Sequence, residues 1–326
     1  MTISDKKQYT RRQSLSLLSA VVAGAFSWAL PGLAQAQSKR VLRVGFQKYG
    51  TLIILKARGT LEQRLAPLGI EVKWIEFPAG PQMLEGLNVG SLDFGVVGEA
   101  PPIFAQAAGA DLVYIANEPA APSGEAIVVP ATSTVKRVVD LKGKKVALNK
   151  GSNVHYLLVK ALEQAGVKYS EIETVFLPPS DARAAFERGS VDAWAIWDPF
   201  FAAAETQLGA RILIDGRGLV SNHQFYLASR GYAQQNPEVI QAFIDELAKI
   251  DAWGGQHVKD VAAILSPLIG LPPATVELAG NRFSYGAKAI DDKTIEEQQK
   301  IADVFANLKL IPKNIRVRDA LLAKKA

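Results

Sequence analysis

The stretch from residue 41 to residue 101 is written again, about a hundred residues later, over residues 145–200. Val41–Phe46 is an apolar strand pattern followed by Gln47-Lys48-Tyr49-Gly50-Thr51, and Lys145–Leu148 is followed by Asn149-Lys150-Gly151-Ser152. Each turn leads into a helical stretch, Leu52–Leu65 and Val154–Ala165. Glu71–Pro78 then matches Glu171–Pro178 at an offset of 100, and Gly90–Phe94 matches Gly189–Ala193 at an offset of 99. The helical segments ahead of those glycines, Pro81–Val89 and Asp181–Arg188, stop where a left-handed C-terminal cap favours glycine. The final matched strands run into Gly98-Glu99-Ala100-Pro101 and Trp197-Asp198-Pro199-Phe200. Repetition in constant order and near-constant register implies one structural unit used twice.

Each unit reads strand–helix–strand–helix–strand–helix. Helices between strands imply parallel pairing with right-handed crossovers, so the expected class is α/β with two similar lobes. Such sheets take ligands outside the carboxyl ends of their strands, where the repeated turns fall in both units. Asn117–Gly124, rich in Pro and Gly, connects the units, and Ser221–Leu227 leaves the second. Beyond Asn236-Pro237, a cap residue and a first-turn proline, the apolar residues Val239, Ile240, Phe243, Ile244 and Leu247 recur at helical spacing. They need a lobe to pack on, and the first lobe is the one expected. The lobes are then 37–118 with 225–326, and 119–224, joined by two crossings that form a hinge.

The formal charge of +5 is uneven: Lys6, Lys7, Arg11 and Arg12 against Asp5 place +3 within residues 1–36, which leaves +2 for the rest. A body so close to neutral offers no electrostatic case for a nucleic-acid partner. The 36-residue start reads as a cleavable export signal. A basic end with Arg11-Arg12 precedes an apolar run of 16 residues, Leu15–Leu30, and then Ala34-Gln35-Ala36. That run falls short of the roughly 18 residues of a spanning helix, and small-x-small suits signal peptidase after Ala36. Thr10–Leu15 fits either the Sec or the twin-arginine route. With no cysteine there is no lipobox, disulfide, thiolate metal site or cysteine nucleophile. The expected location is the periplasm.

Gly50-Thr51 and Gly151-Ser152-Asn153 place a glycine and a hydroxyl at the start of a helix in each lobe. Glycine admits close approach, and the hydroxyl and first-turn amides are donors at the positive end of a helix dipole, so an oxyanion is the expected guest. Asn149 joins this turn. Trp194 and Trp197 close the second unit beside Asp198 and offer an aromatic wall for an organic tail, with Gly98 standing where the first unit leaves the mouth open. Glu99 and Asp198 are the acids nearest the mouth. Catalytic signals are poor. His155, His223 and His257 show no metal-ligand spacing, and His155 is expected in an exposed helical turn. No nucleophile elbow, phosphate loop or dinucleotide fingerprint appears, so no enzyme, metal or cofactor is expected.

Several long stretches are closely similar to one family: Gln47–Arg58, Glu76–Gly98, Glu99–Phe104, Ala147–Leu158 and Asp192–Phe200. The mature chain resembles the periplasmic solute-binding proteins of ABC importers, in the branch for sulfonates, nitrate, taurine and thiamine precursors, and within it the aliphatic sulfonate binders. The resemblance implies the type II two-lobed fold, a small organic sulfonate as ligand, a permease and its ATPase as partners, and a monomer working in sulfur acquisition. It carries ligand contact to Gln47, Thr51, Leu52, Gly98, Glu99, Ala100, Gly151, Ser152 and Trp197; Asn149, Asn153, Trp194 and Asp198 come from the repeat. His223 stands where the family leads one to expect tyrosine. The alternatives are a taurine or nitrate binder of the same branch, and an enzyme resembling the thiamine pyrimidine synthase.

Overall fold

Short apolar runs become strands and the glycine-stopped stretches between them become helices. In the computed structural model, which describes residues 40–322, the first repeat forms β1 (Arg40–Phe46), α1 (Gly50–Arg58), α2 (Thr60–Leu65), β2 (Ile70–Glu76), α3 (Gly80–Asn88), β3 (Phe94–Gly98), α4 (Pro101–Ala107) and β4 (Leu112–Asn117). The chain crosses over to β5 (Glu125–Val129). The second repeat follows as β6 (Lys145–Leu148), α5 (Asn153–Gln164), β7 (Glu173–Phe176), α6 (Pro179–Glu187), β8 (Ala193–Trp197), α7 (Phe200–Leu208) and β9 (Arg211–Asp215). A return crossing leads to β10 (Gln224–Ser229), α8 (Arg230–Gln235), α9 (Pro237–Gly254), α10 (Val258–Ile269), α11 (Pro273–Gly280), β11 (Lys288–Ala289) and α12 (Asp292–Asn307). The export signal read from residues 1–36 lies outside the described residues.

The first sheet has the order β11-β4-β10-β3-β1-β2 and the second β7-β6-β8-β5-β9. In the first, β1 runs parallel to β2 and β3; in the second, β6 runs parallel to β7 and β8. Each sheet then takes in one antiparallel strand delivered by a crossing: β10 between β3 and β4, and β5 between β8 and β9. The duplication thus survives in strand order, and the two sheets exchange a strand. Gly90 and Gly189, at φ 72° and 68°, end α3 and α6 in the left-handed region as the repeat predicts.

Helices cover both faces of the first sheet. Leu52, Leu55, Val239, Phe243 and Leu247 are fully buried on one face, which fixes the tail helix α9 to the first lobe. Met83, Ile103 and Phe305 fill the other. The second lobe has its own core around Leu157, Leu158, Trp194 and Phe201. Beyond the two crossings, the described residues show a further bridge. Thr275 of α11 meets Thr206 of α7 at 3.0 Å, and Ser284 Oγ donates to the Ala120 carbonyl at 2.8 Å. The stretch after α11 therefore runs beside the first crossing.

Candidate functional site

β1 and β6 end at equivalent points, and Gly50 and Gly151 turn the chain from strand into helix at φ 73° and 75°. Only glycine takes that conformation without strain. Neither α1 nor α5 has a side-chain cap, and among the described residues no acceptor meets the amides of Thr51, Leu52, Asn153 or Val154. These are the orphan donors of two helix starts. The hydroxyls beside them face elsewhere. Ser152 Oγ donates to the Asn149 carbonyl at 2.7 Å. Thr51 Oγ1 hydrogen-bonds Asp251 and lies 3.2 Å from Glu118 Oε1. Glu118 Oε1 also accepts from the Tyr226 hydroxyl, so Thr51 and Tyr226 are the donors that meet these two buried acids. The hydroxyls of Thr51 and Ser152, expected on a ligand, are thus committed to the protein, and the Gly151 amide donates to His155 Nδ1 at 3.2 Å. What each helix start offers to a guest is backbone.

Between the lobes lies a cavity of about 280 Å³. Gln47, Tyr49, Phe77 and Pro78 line it from the first lobe, and Ser180, Trp197 and Phe200 from the second. Trp197 and Phe200 meet edge to face, with centroids 6.3 Å apart. Gln47 is held by its Nε2 donating to the Val96 carbonyl at 3.1 Å. Trp194 does not share this wall: it is buried in the second-lobe core against Phe186. Residues three apart on a strand point to opposite faces, which is why the two tryptophans part. Leu52 and Ala100 are likewise core side chains, able to reach a ligand only through their backbone. Phe77, Pro78, Ser180 and Phe200 were not singled out from the sequence, although Phe77-Pro78 and Leu177-Pro178 end matched strands of the repeat and mark the mouth.

Elsewhere the lobes touch directly. A Cβ on Gly98 would stand 3.0 Å from Asn153, and one on Gly151 would stand 3.2 Å from the Phe104 ring, each contact crossing from one lobe to the other. Asn153 Nδ2 donates to Glu125 and, at 2.9 Å, to Asn222 on the return crossing. Asn149 is buried with its Oδ1 unpartnered.

The acids sit in low-dielectric surroundings. Burial raises Glu118 and Glu125 well above the usual carboxylate range, and raises Asp251 as well. Glu99, fully buried, is pushed up to about 8 by burial, against the pull of backbone donors from His223 and Asn222. Glu99 does not line the cleft cavity; it faces a separate hollow beside the return crossing. Asp198 accepts the Ala202 amide at 2.9 Å as a cap of α7 and lies 3.6 Å from Arg282, with burial still raising it to about 7. Arg282 also pairs with Glu205 at 2.6 Å and so ties the stretch after α11 to the second lobe. His155, expected in the open, is fully buried among Phe104, Phe176 and Phe305. Burial holds it down to about 4, hence neutral, and Nδ1 serves as an acceptor.

The family model described as NMT1/THI5 like matches residues 66–251. A relative from Escherichia coli (strain K12), named provisionally as an aliphatic sulfonates-binding protein, is 43% identical over 94% of this chain and 96% of its own. The alkanesulfonate-binding protein SsuA from Xanthomonas axonopodis pv. citri bound to MOPS superposes with a TM-score of 0.84 at 41% identity, covering 86% of this chain and 98% of that one. The periplasmic aliphatic sulphonate binding protein SsuA from Escherichia coli does so with a TM-score of 0.78 at 44% identity, over 87% and 98%.

Proposed function

The chain belongs to the NMT1/THI5-like family, in its branch of aliphatic sulfonate-binding solute receptors, and from that premise we propose how it works. It captures a small organic sulfonate between its lobes, as the extracytoplasmic binding component of an ABC importer, and delivers it to the permease and its ATPase for sulfur acquisition. It is a binding protein rather than an enzyme. The periplasm is its place of work, reached through the cleavable signal of residues 1–36, and it acts as a monomer. The working lobes are 37–118 with 225–326, and 119–224.

The observation that carries this reading is the pair of uncapped helix starts, one from each lobe, each preceded by a left-handed glycine. The sulfonate head lies on the amides of Thr51 and Leu52 from one side and Asn153 and Val154 from the other, with Gly98, Asn149, Gly151 and Ser152 shaping the turn. The organic part lies along Trp197, Phe77 and Phe200, and Gln47 closes the cavity. A sulfonate is permanently ionised and asks no proton of the protein. Hydrogen bonds to a charged group contribute about 1.5–3 kcal/mol each, so four supply about 6–12 kcal/mol gross. Micromolar binding needs about 8 kcal/mol net, which leaves part of the affinity to the apolar wall.

Taurine ranks lower because, among the described residues, the acid on the cleft cavity is Glu76, which is exposed and already paired with Lys48 at 3.3 Å, and nitrate because it would leave the aromatic wall idle. Competitive calorimetry with ethanesulfonate, taurine and nitrate tests the assignment. Ethanesulfonate is expected to bind at least tenfold more tightly than either rival, and the reverse order would overturn it.

A further inference from the structure

A smaller pocket, of about 40 Å³, adjoins the cleft cavity at the start of α1. It is roofed by two tail helices: α10 packs on α1 and on α11, and α11 reaches across to α7 of the second lobe. Its walls are Ile54 of α1, Leu265 and Ile269 of α10, Val276 and Ala279 of α11, and Phe283 just beyond. Gly50, the left-handed residue that opens α1, also lines it, and a Cβ there would stand 3.6 Å from the Phe283 ring. Lys48, Tyr49, Pro199 and Ile269 line both this pocket and the cleft cavity, so the two share a border.

The polar groups along that border are already engaged. The Tyr49 hydroxyl donates to Gln224 Oε1, which pins the ring between the two spaces. Lys48 pairs with Glu76 on the exposed rim. Asp198 is the acid on these walls; it caps α7 through the Ala202 amide, and Arg282, 3.6 Å away, supplies its positive charge. What the pocket adds to the cleft is chiefly hydrocarbon and aromatic ring. Surface of that kind is matched by the uncharged end of a ligand whose charged head is held elsewhere.

We propose that this pocket receives the far end of the ligand's carbon chain and makes the protein a receptor for linear alkanesulfonates longer than ethanesulfonate. The inference rests on the reading of the cleft as a sulfonate site. With the head on the helix starts and the carbons along Trp197 and Phe200, a chain that continues past Pro199 and Ile269 enters the pocket. A water-sized group needs about 10–15 Å³ of such space, so about three carbons fit. Each methylene withdrawn from water tightens binding about fourfold, and three tighten it about 60-fold. Ile269 at the border, and Ala279 and Phe283 within, are then the residues that set chain-length preference. None of them lies in the duplicated stretch, so this selectivity belongs to the tail helices and not to the repeat.

Calorimetry on the full mature chain with the linear series from ethanesulfonate to octanesulfonate tests this. Affinity should climb with length and level off once the pocket is full, with octanesulfonate at least about 60-fold tighter than ethanesulfonate. Ala279→Leu fills the pocket from α11 and should cut that ratio at least about tenfold. Should Ala279→Leu fail to fold, Phe283→Ala, at a half-buried position, removes a wall and should lower the same ratio at least about fourfold. Octanesulfonate no tighter than ethanesulfonate would overturn the proposal and leave the sulfonate site standing. So would a ratio indifferent to the folded variants, or an ω-amino alkanesulfonate that binds more tightly than the alkanesulfonate of equal length, since Asp198 would then be the group that is read. Failure of every member of the series to bind, ethanesulfonate included, would overturn the reading of the cleft along with the pocket.

Discussion

Gly98 ends β3 on the first lobe, and the three atoms nearest to a Cβ placed there all belong to Asn153 of the second lobe, each at 3.0 Å. Its φ lies outside the left-handed region, so alanine brings no backbone strain. Gly98→Ala is therefore a substitution that the first lobe tolerates by itself and that acts only when the lobes meet. Real Cβ contacts lie mostly beyond about 3.4 Å, so three atoms of a side chain already held by Glu125 and Asn222 would have to give way. Overpacking of this kind costs about 1–3 kcal/mol. If that cost falls on closure, ethanesulfonate affinity drops about 5- to 140-fold, while the melting temperature without ligand stays within about 1 °C. Calorimetric titration together with scanning calorimetry of the free protein reads both quantities. Gly151→Ala is the control: it also meets the other lobe, at Phe104, but its φ of 75° adds strain in every hinge position and lowers melting as well. Wild-type affinity in Gly98→Ala, or a loss of melting temperature equal to that of Gly151→Ala, would refute the view that the two lobes close against each other at this point.

Thr51→Val removes the hydroxyl that donates to Asp251 beside Glu118, so urea unfolding should show a loss of about 1.5–3 kcal/mol, with ligand affinity kept within about threefold because the backbone amide remains. A tenfold affinity loss at unchanged stability would return the hydroxyl to the ligand. Stability should also fall as pH rises from 6.5 to 8.5. Glu99 and Asp198, raised to about 8 and about 7, keep protons in the folded chain that the unfolded chain has released from about pH 4 upward. His155, held down to about 4, acts in the opposite direction but only below about 6.5, so a urea midpoint that climbs across the upper window would contradict the burial of these acids. Replacing both Lys48 and Lys150 by alanine should change affinity less than about threefold. Lys48 pairs with Glu76 at 3.3 Å on the exposed rim and Lys150 lies over the Phe176 ring, so a hundredfold loss would mean that side-chain charge, not helix starts, holds the anion.

The duplication is legible because it lies in local pattern: strand periodicity, the left-handed glycines at 50, 151, 90 and 189, and the strand ends at Pro78 and Pro178. The parallel pairing of β1 with β2 and β3, and of β6 with β7 and β8, follows from it, whereas the antiparallel β10 and β5 are delivered by the crossings and carry no such local signal. The direction of individual side chains is less accessible. Thr51 reads as a donor at a helix start until Asp251, two hundred positions later, takes its proton. His155 reads as exposed because the rings that bury it come from α4, β7 and α12, none of them near in sequence. The strand period separates Trp194 from Trp197, and applying it to β8 would have kept one of them from the cleft. Arg282 follows α11 with no motif around it, and only the fold brings it to Asp198 and Glu205.

The central claim concerns backbone amides from opposite lobes, and amide nitrogen–proton correlation spectra recorded during an ethanesulfonate titration observe those groups directly. The signals of Thr51 and Leu52 and those of Asn153 and Val154 should move downfield together and saturate at one common ligand concentration. Movement confined to one of the two pairs, or saturation at two different concentrations, would contradict a single sulfonate shared between the lobes.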